Sequence, residues 1–188
     1  QRVVEKPKRK EAPESRAVVI DLANVTKRRD ASGRLVLPIN RINWNALRNV
    51  LQMHHGESVP LERLVLCVSA HYYADNRSAL ACAERAGFSV VTKYGEKEAD
   101  PVVVCELMNI VHKALIRDYA DRIPTIVLVS GDADFSGVIH SLREAVKWEG
   151  LALPLHVVSW MDSLSLALDL NASKTTAMED ILRLIRLP

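Results

Sequence analysis

The stretch Ile126-Val127-Leu128-Val129-Ser130-Gly131-Asp132-Ala133-Asp134-Phe135 opens as an unbroken apolar run of strand length and ends in turn residues and two carboxylates. An apolar run without alternation suits a strand covered on both faces, as in a parallel sheet held between two layers of helices. Comparable runs stand at Ala17 to Leu22, Leu64 to Val68, Phe88 to Thr92 and Leu155 to Val158, giving five expected strands. Helical periodicity fills the intervals at Ile42 to Met53, Asn76 to Ala86, Pro101 to Arg117 and Gly137 to Trp148, and again at Asp162 to Leu170 and Met178 to Leu187. Alternating strands and helices predict an α/β fold, a three-layer α/β/α sandwich with a mostly parallel central sheet built from right-handed crossovers.

Length and composition agree with this. The chain has 188 residues, 48% hydrophobic and 26% charged, enough for one domain with appendages and unlike a disordered or fibrous chain. Its apolar runs are far shorter than a bilayer span, so no membrane partner is expected. The start Gln1-Arg-Val-Val-Glu-Lys lacks an initiator Met and a signal core, which suggests a fragment with further sequence before Gln1 and a cytoplasmic setting. Cys67, Cys82 and Cys105 form no CxxC pair and read as reduced core thiols. The net charge of +2 is an average: residues 1 to 16 carry six Lys or Arg against three Glu, while the remainder carries 19 basic and 20 acidic residues. Residues 1–16 are therefore expected to be a basic linker or tail, and 17–188 the folded domain.

In an open parallel sheet, ligands gather beyond the carboxyl ends of the strands. Two such ends are acidic here: Ile20 leads into Asp21-Leu22-Ala23-Asn24, and Val129 into Ser130-Gly131-Asp132-Ala133-Asp134. A turn followed by a helix cap explains one Asp of the second pair. It does not explain two, with a third carboxylate at a neighbouring strand end, because unpaired buried carboxylates raise one another's pKa values and cost stability. A hard divalent cation such as Mg²⁺ or Mn²⁺ removes that cost. Asp100, before Pro101, reads by itself as a helix cap, and Glu106 as a half-buried carboxylate paired with a base such as Lys113.

These residues resemble a known family. Ile20-Asp21-Leu22-Ala23-Asn24, then Lys97-Glu98-Ala99-Asp100 with Glu106, then Ser130-Gly131-Asp132-Ala133-Asp134-Phe135 look like the NYN domain, in the LabA-like branch of the PIN-like nucleases. The resemblance runs from about Arg16 to the C-terminus, and Ser163 to Leu166 also fits it. It implies a PIN-like fold and hydrolysis of phosphodiester bonds, usually in RNA, on one or two Mg²⁺ or Mn²⁺ ions. Asp21, Asp100, Asp132 and Asp134 match the catalytic, metal-binding acids. Asn24 matches the polar position after the first Asp, and Glu106 a further acidic position that is often Asp. The resemblance thus makes Asp100 a ligand as well as a helix opener.

Substrate contacts are expected from Asn24 and Ser130, from Lys93 and Lys97, and from the basic loop Lys27-Arg28-Arg29 with Arg34. Tyr72 and Tyr73 are positioned to stack on bases or to pack on a helix, and His54-His55 is expected to close a helix. No GxGxxG, P-loop or Gly-x-Ser-x-Gly motif occurs. The readings left open beside a ribonuclease are a catalytically lapsed RNA-binding or protein-interaction module and a small-substrate phosphoesterase. The amphipathic stretch Met178 to Pro188 is expected to pack on the domain or to form a dimer contact.

Overall fold

The structure is a computed structural model and describes residues 14–92, 99–116 and 122–188. In chain order its elements are β1 (Arg16–Asp21), α1 (Leu22–Thr26), a 3₁₀ turn (Ile39–Arg41), α2 (Trp44–Gln52), β2 (Met53–His54), β3 (Glu57–Ser58), β4 (Leu61–Cys67), α3 (Ala70–Asp75), α4 (Arg77–Arg85), β5 (Ser89–Val91), α5 (Asp100–Leu115), β6 (Thr125–Val129), α6 (Asp134–Trp148), β7 (Leu155–Ser159), α7 (Leu166–Asn171), β8 (Lys174–Ala177) and α8 (Met178–Ile185). Most of the tail, Lys93, Lys97 and Arg117 lie outside the described residues.

Six strands form one sheet in the order β5-β4-β1-β6-β7-β8, and every neighbouring pair is parallel. β1 and β6 are buried at every position, as their continuous apolar runs require. Their alternate side chains feed two cores. Val18 and Ile20 pack with Leu47 and Leu51 of α2, Leu80 of α4 and Ile181 and Ile185 of α8. Ala17 and Val19 pack with Val103 and Leu107 of α5, Phe135 and Ile139 of α6 and Leu168 of α7. The expected three-layer sandwich is the observed one.

The chain runs outward from β1 to β4 and β5, then returns to β6 on the other side of β1. The carboxyl ends of β1 and β6 therefore flank the point where the strand order reverses, where a crevice opens because the connections leave in opposite directions.

Several local expectations are corrected. A sixth sheet strand, β8, was not foreseen, because Lys174-Thr175-Thr176-Ala177 is polar and only half-buried at the sheet edge. The helix expected from Asp162 begins at Leu166, capped by the Ser165 hydroxyl. His54-His55 does not close a helix: His54 pairs in the β2–β3 ribbon and His55 has φ 48°. Of the three thiols, Cys67 is buried, while Cys82 and Cys105 are exposed on α4 and α5. No helix among the described residues is long and apolar enough to cross a membrane.

His156, on β7, is 7% exposed and shares its Nε2 with the Thr176 hydroxyl at 2.8 Å. Its Nδ1 is buried without a partner among the described residues. Burial, and secondarily the charges of Arg16, Lys174 and His54, push its pKa down to about 4. Protonation therefore favours the unfolded chain, and stability present above about pH 6.5 is lost as the pH falls toward 4, by at most about 3 kcal/mol. Urea unfolding between pH 7.5 and 4.5 is expected to show this loss in the native protein, and a shallower one in His156→Gln.

Candidate active site at the carboxyl edge of the sheet

The crevice between β1 and β6 is a cleft of about 430 Å³ whose wall includes Asp21, Asn24, Lys27, Asp100 and Asp132. Each acid arrives by a separate local rule. Asp21 is the last residue of β1 and caps α1, its carboxylate accepting from the Asn24 amide at 3.4 Å. Asp100 opens α5 next to Pro101, with Ala99 in the capping position, so it is a first-turn residue rather than the expected cap. A negative charge in the first turn of a helix is still favoured by the helix dipole. Asp132 and Asp134 follow β6, and the Asp132 carboxylate accepts from the Asp134 amide at 3.0 Å. The cap of α6 is Ala133, whose methyl group cannot accept a hydrogen bond.

Carboxylate oxygens of Asp100, Asp132 and Asp134 all come within 4.8 Å of one another. Asp21 lies deeper, 3% exposed. Burial is the main cause that raises its pKa, and the charge of Asp100 adds to it; hydrogen bonds from Asn24 and Ser130 oppose the rise. Three clustered acids and a fourth that resists ionisation make an oxygen-donor set of the kind that hard divalent cations take.

One polar chain holds the two strand ends in register. The Ser130 hydroxyl donates to Asp21 Oδ2 at 3.3 Å and accepts from the Asp132 amide at 3.3 Å, while the Gly131 amide donates to Asn24 Oδ1 at 3.1 Å. Ser130 and Asn24, expected to touch substrate, are thus also the struts between β1 and β6. Gly131 fits only as glycine: a Cβ there meets the Ser159 hydroxyl and the Ser163 carbonyl, with the Ser163 carbonyl carbon at 2.8 Å.

The basic residues divide. Lys27 is exposed on the cleft wall. Arg28 also lines the cleft, but its guanidinium is engaged by Asp162 at 2.6 Å and Glu179 at 2.8 Å and lies 4.7 Å from the Trp160 ring centre. Arg29 lines a neighbouring groove and donates to the Gly33 carbonyl at 2.6 Å. Tyr72 joins the cleft wall, its hydroxyl 3.1 Å from that of Thr26; Tyr73 packs against the core, and His71 pairs with Asp75. Lys93 and Lys97 lie outside the described residues.

Glu106 is placed apart from the cleft. It accepts from Arg63 Nη2 at 2.9 Å and Nε at 3.1 Å, and it lines a separate cavity of about 150 Å³. Its base is Arg63 rather than Lys113, since β4 runs beside α5 and brings together residues distant in sequence. Ser69, which caps α3 by accepting from the Tyr72 amide at 3.2 Å, was not singled out, although it follows the β4 run as Asp21 follows β1.

The NYN domain family model matches residues 15–164, a span that covers the cleft and every acid in it. The chain belongs to the NYN domain family. That membership places it in the PIN-like nuclease superfamily. A comparison with curated proteins returns no match. Among solved structures, this NYN domain is similar to a protein of unknown function from Vibrio parahaemolyticus, at 17% identity and a TM-score of 0.67, covering 92% of this chain and 97% of that one; the likeness is one of fold.

Two outcomes follow from this geometry. Gly131→Ala displaces the Ser163 backbone and is expected to lower stability by about 1–3 kcal/mol, read by urea unfolding, and to impair whatever activity the cleft has. Glu106→Gln weakens a charge-assisted pair and is expected to cost about 1–2 kcal/mol of stability, read by urea unfolding.

Proposed function

We propose that this NYN domain, read as one of the LabA-like branch, is a metal-dependent ribonuclease that hydrolyses phosphodiester bonds of single-stranded RNA. The observation that carries the reading is the convergence of Asp100, Asp132 and Asp134 within 4.8 Å at the rim of an open cleft, with Asp21 beneath them. Such a donor set suits Mg²⁺ or Mn²⁺, hard cations that take carboxylate oxygens and water. The ion, when bound, supplies charge neutralisation at the phosphate and a water of lowered pKa.

The chain's own residues do the rest. Asp100, Asp132 and Asp134, with Asp21 beneath them, would hold the ion. Ser130 keeps the Asp21 carboxylate aimed by its hydrogen bond, and Asn24 holds the Gly131 amide and so the turn that presents Asp132. Lys27 offers an exposed ammonium to non-bridging phosphate oxygens. Arg28, tied to Asp162 and Glu179, braces the cleft wall.

The test is cleavage of labelled single- and double-stranded RNA and DNA with and without Mn²⁺. Charge stabilisation of several kcal/mol, at about 1.4 kcal/mol per tenfold, predicts that Asp132→Asn and Asp21→Asn each lower single-stranded RNA cleavage about a hundredfold or more. Native rates in both variants refute the proposal, and activity confined to mononucleotides transfers it to a small-substrate phosphoesterase. The two variants separate in stability. Asp21→Asn removes a carboxylate whose raised pKa destabilises the fold as pH climbs through it, so in EDTA at pH 7.5 its Tm is expected to exceed that of the native protein.

A further inference from the structure

Beyond the acidic cleft lies a groove of about 740 Å³ whose wall includes Lys27, Arg29, Leu35, Asn40 and Tyr72. It shares Lys27 and Tyr72 with the cleft, so the two depressions are neighbours. Pro38 also lines a third depression, of about 500 Å³, with Arg41, Arg183 and Arg186. Asp75, also on the groove, faces His71, whereas the third depression, which Leu187 and Pro188 also line, has no Asp or Glu on its wall among the described residues.

The arginine cluster is assembled by backbone pairing between segments far apart in sequence. The Leu187 amide donates to the Arg41 carbonyl at 2.7 Å, the Asn43 amide to the Ile185 carbonyl at 2.7 Å, and Ile42 bridges Arg186. The three residues are exposed, and none of the guanidiniums pairs with an Asp or Glu among the described residues, although Arg41 Nη1 donates to the Pro188 oxygen. Like charges brought together with no Asp or Glu beside them repel one another, and a polyanion relieves that repulsion.

We propose that the groove and the arginine cluster form a track for single-stranded RNA that begins at the acidic cleft. The strand leaves the carboxylates past Lys27, lays its bases on the apolar and aromatic surface of Tyr72 and Leu35, and delivers downstream phosphates to Arg29 and then to Arg41, Arg183 and Arg186. A mononucleotide spans only the first of these depressions, so the track selects polymer over small phosphoesters. The assignment rests on the ribonuclease reading for its direction, but the binding it predicts is measurable without cleavage.

The experiment compares fluorescein-labelled oligouridylates of about 4 and about 15 nucleotides, by anisotropy in EDTA and by cleavage in Mn²⁺, for the native protein and the variant Arg41→Ala/Arg183→Ala/Arg186→Ala. The native protein is expected to bind the long oligomer at least tenfold more tightly than the short one, and the variant to lose most of that advantage. The slope of log affinity against log salt is expected to fall by about 2, as three lost phosphate contacts on a single strand imply. Equal affinity for both lengths in the native protein, or an unchanged length advantage in the variant, overturns the track. If the triple variant does not fold, Arg183→Glu, a change on the exposed face of α8, is expected to weaken the long oligomer about threefold or more, and native affinity there overturns it equally. Absence of cleavage with the length advantage intact overturns the ribonuclease reading and leaves the track standing.

Discussion

Carboxylates brought to one end of a parallel sheet repel one another, and much of the local structure here exists to hold them there. Asp21 is fixed because β1 is buried on both faces and cannot slide without exposing Val18, Val19 and Ile20. Asp132 is fixed because Gly131 is wedged between the strand end of β7 and the Ser163 backbone, and Asp100 because Pro101 sets the entry to α5. The hydrogen bonds from Ser130 to Asp21 and from Gly131 to Asn24 then couple the two strand ends. The cost is tolerated rather than removed: burial first, and the charge of Asp100 after it, keep the pKa of Asp21 raised. A site in this condition is less stable than the fold allows, and the same condition prepares it for a cation.

The strands that place the site were legible because each is buried on both sides and so written as an uninterrupted apolar run. β8 was not, since an edge strand buries one face at most and Lys174-Thr175-Thr176 carries no such run. The acids after β1 and β6 were legible for a topological reason: whatever follows a parallel strand stands at the carboxyl edge. Asp100 was not legible on those grounds, because helix opening and metal ligation require the same residue in the same place. Only the motif order distinguished them. Glu106 shows the opposite failure, in which position along a helix says little about a partner on a strand 43 residues away. The pairing with Arg63 becomes apparent only once β4 is known to lie beside α5.

Charge tells a similar story. The body of the chain is nearly neutral, yet its cations are not interchangeable. Arg28 is consumed by Asp162, Glu179 and the face of Trp160, and Arg63 by Glu106. These pairs stitch loops and helices to the sheet, and they take basic residues out of any account of polyanion binding. Among the cations left exposed, Lys27, Arg29, Arg41, Arg183 and Arg186 line the cleft and its neighbouring depressions, yet come from sequence positions too scattered for a basic motif. Neutral average composition is therefore compatible with a polarised surface.

The opposite end of the sheet has the reverse arrangement. Arg16 begins β1 fully buried, donating to the Leu51 carbonyl at 2.8 Å and lying 2.6 Å from His54 Nδ1. Because a guanidinium only donates, this contact makes Nδ1 the acceptor and leaves the proton of a neutral His54 on Nε2, which is 2.9 Å from Glu14. Burial and the Arg16 charge both lower the His54 pKa, in keeping with that neutral tautomer. The guanidinium thus reaches its acid through an imidazole, and burial lowers its own pKa in turn. What this arrangement secures is the join between the start of β1 and the end of α2, the helix that covers the face of the sheet carrying Val18 and Ile20. One strand therefore buries a cation at its first residue and a carboxylate at its last. The hydrophobic burial of the four residues between them must offset both, which explains why that segment shows no alternation and tolerates no polar interruption.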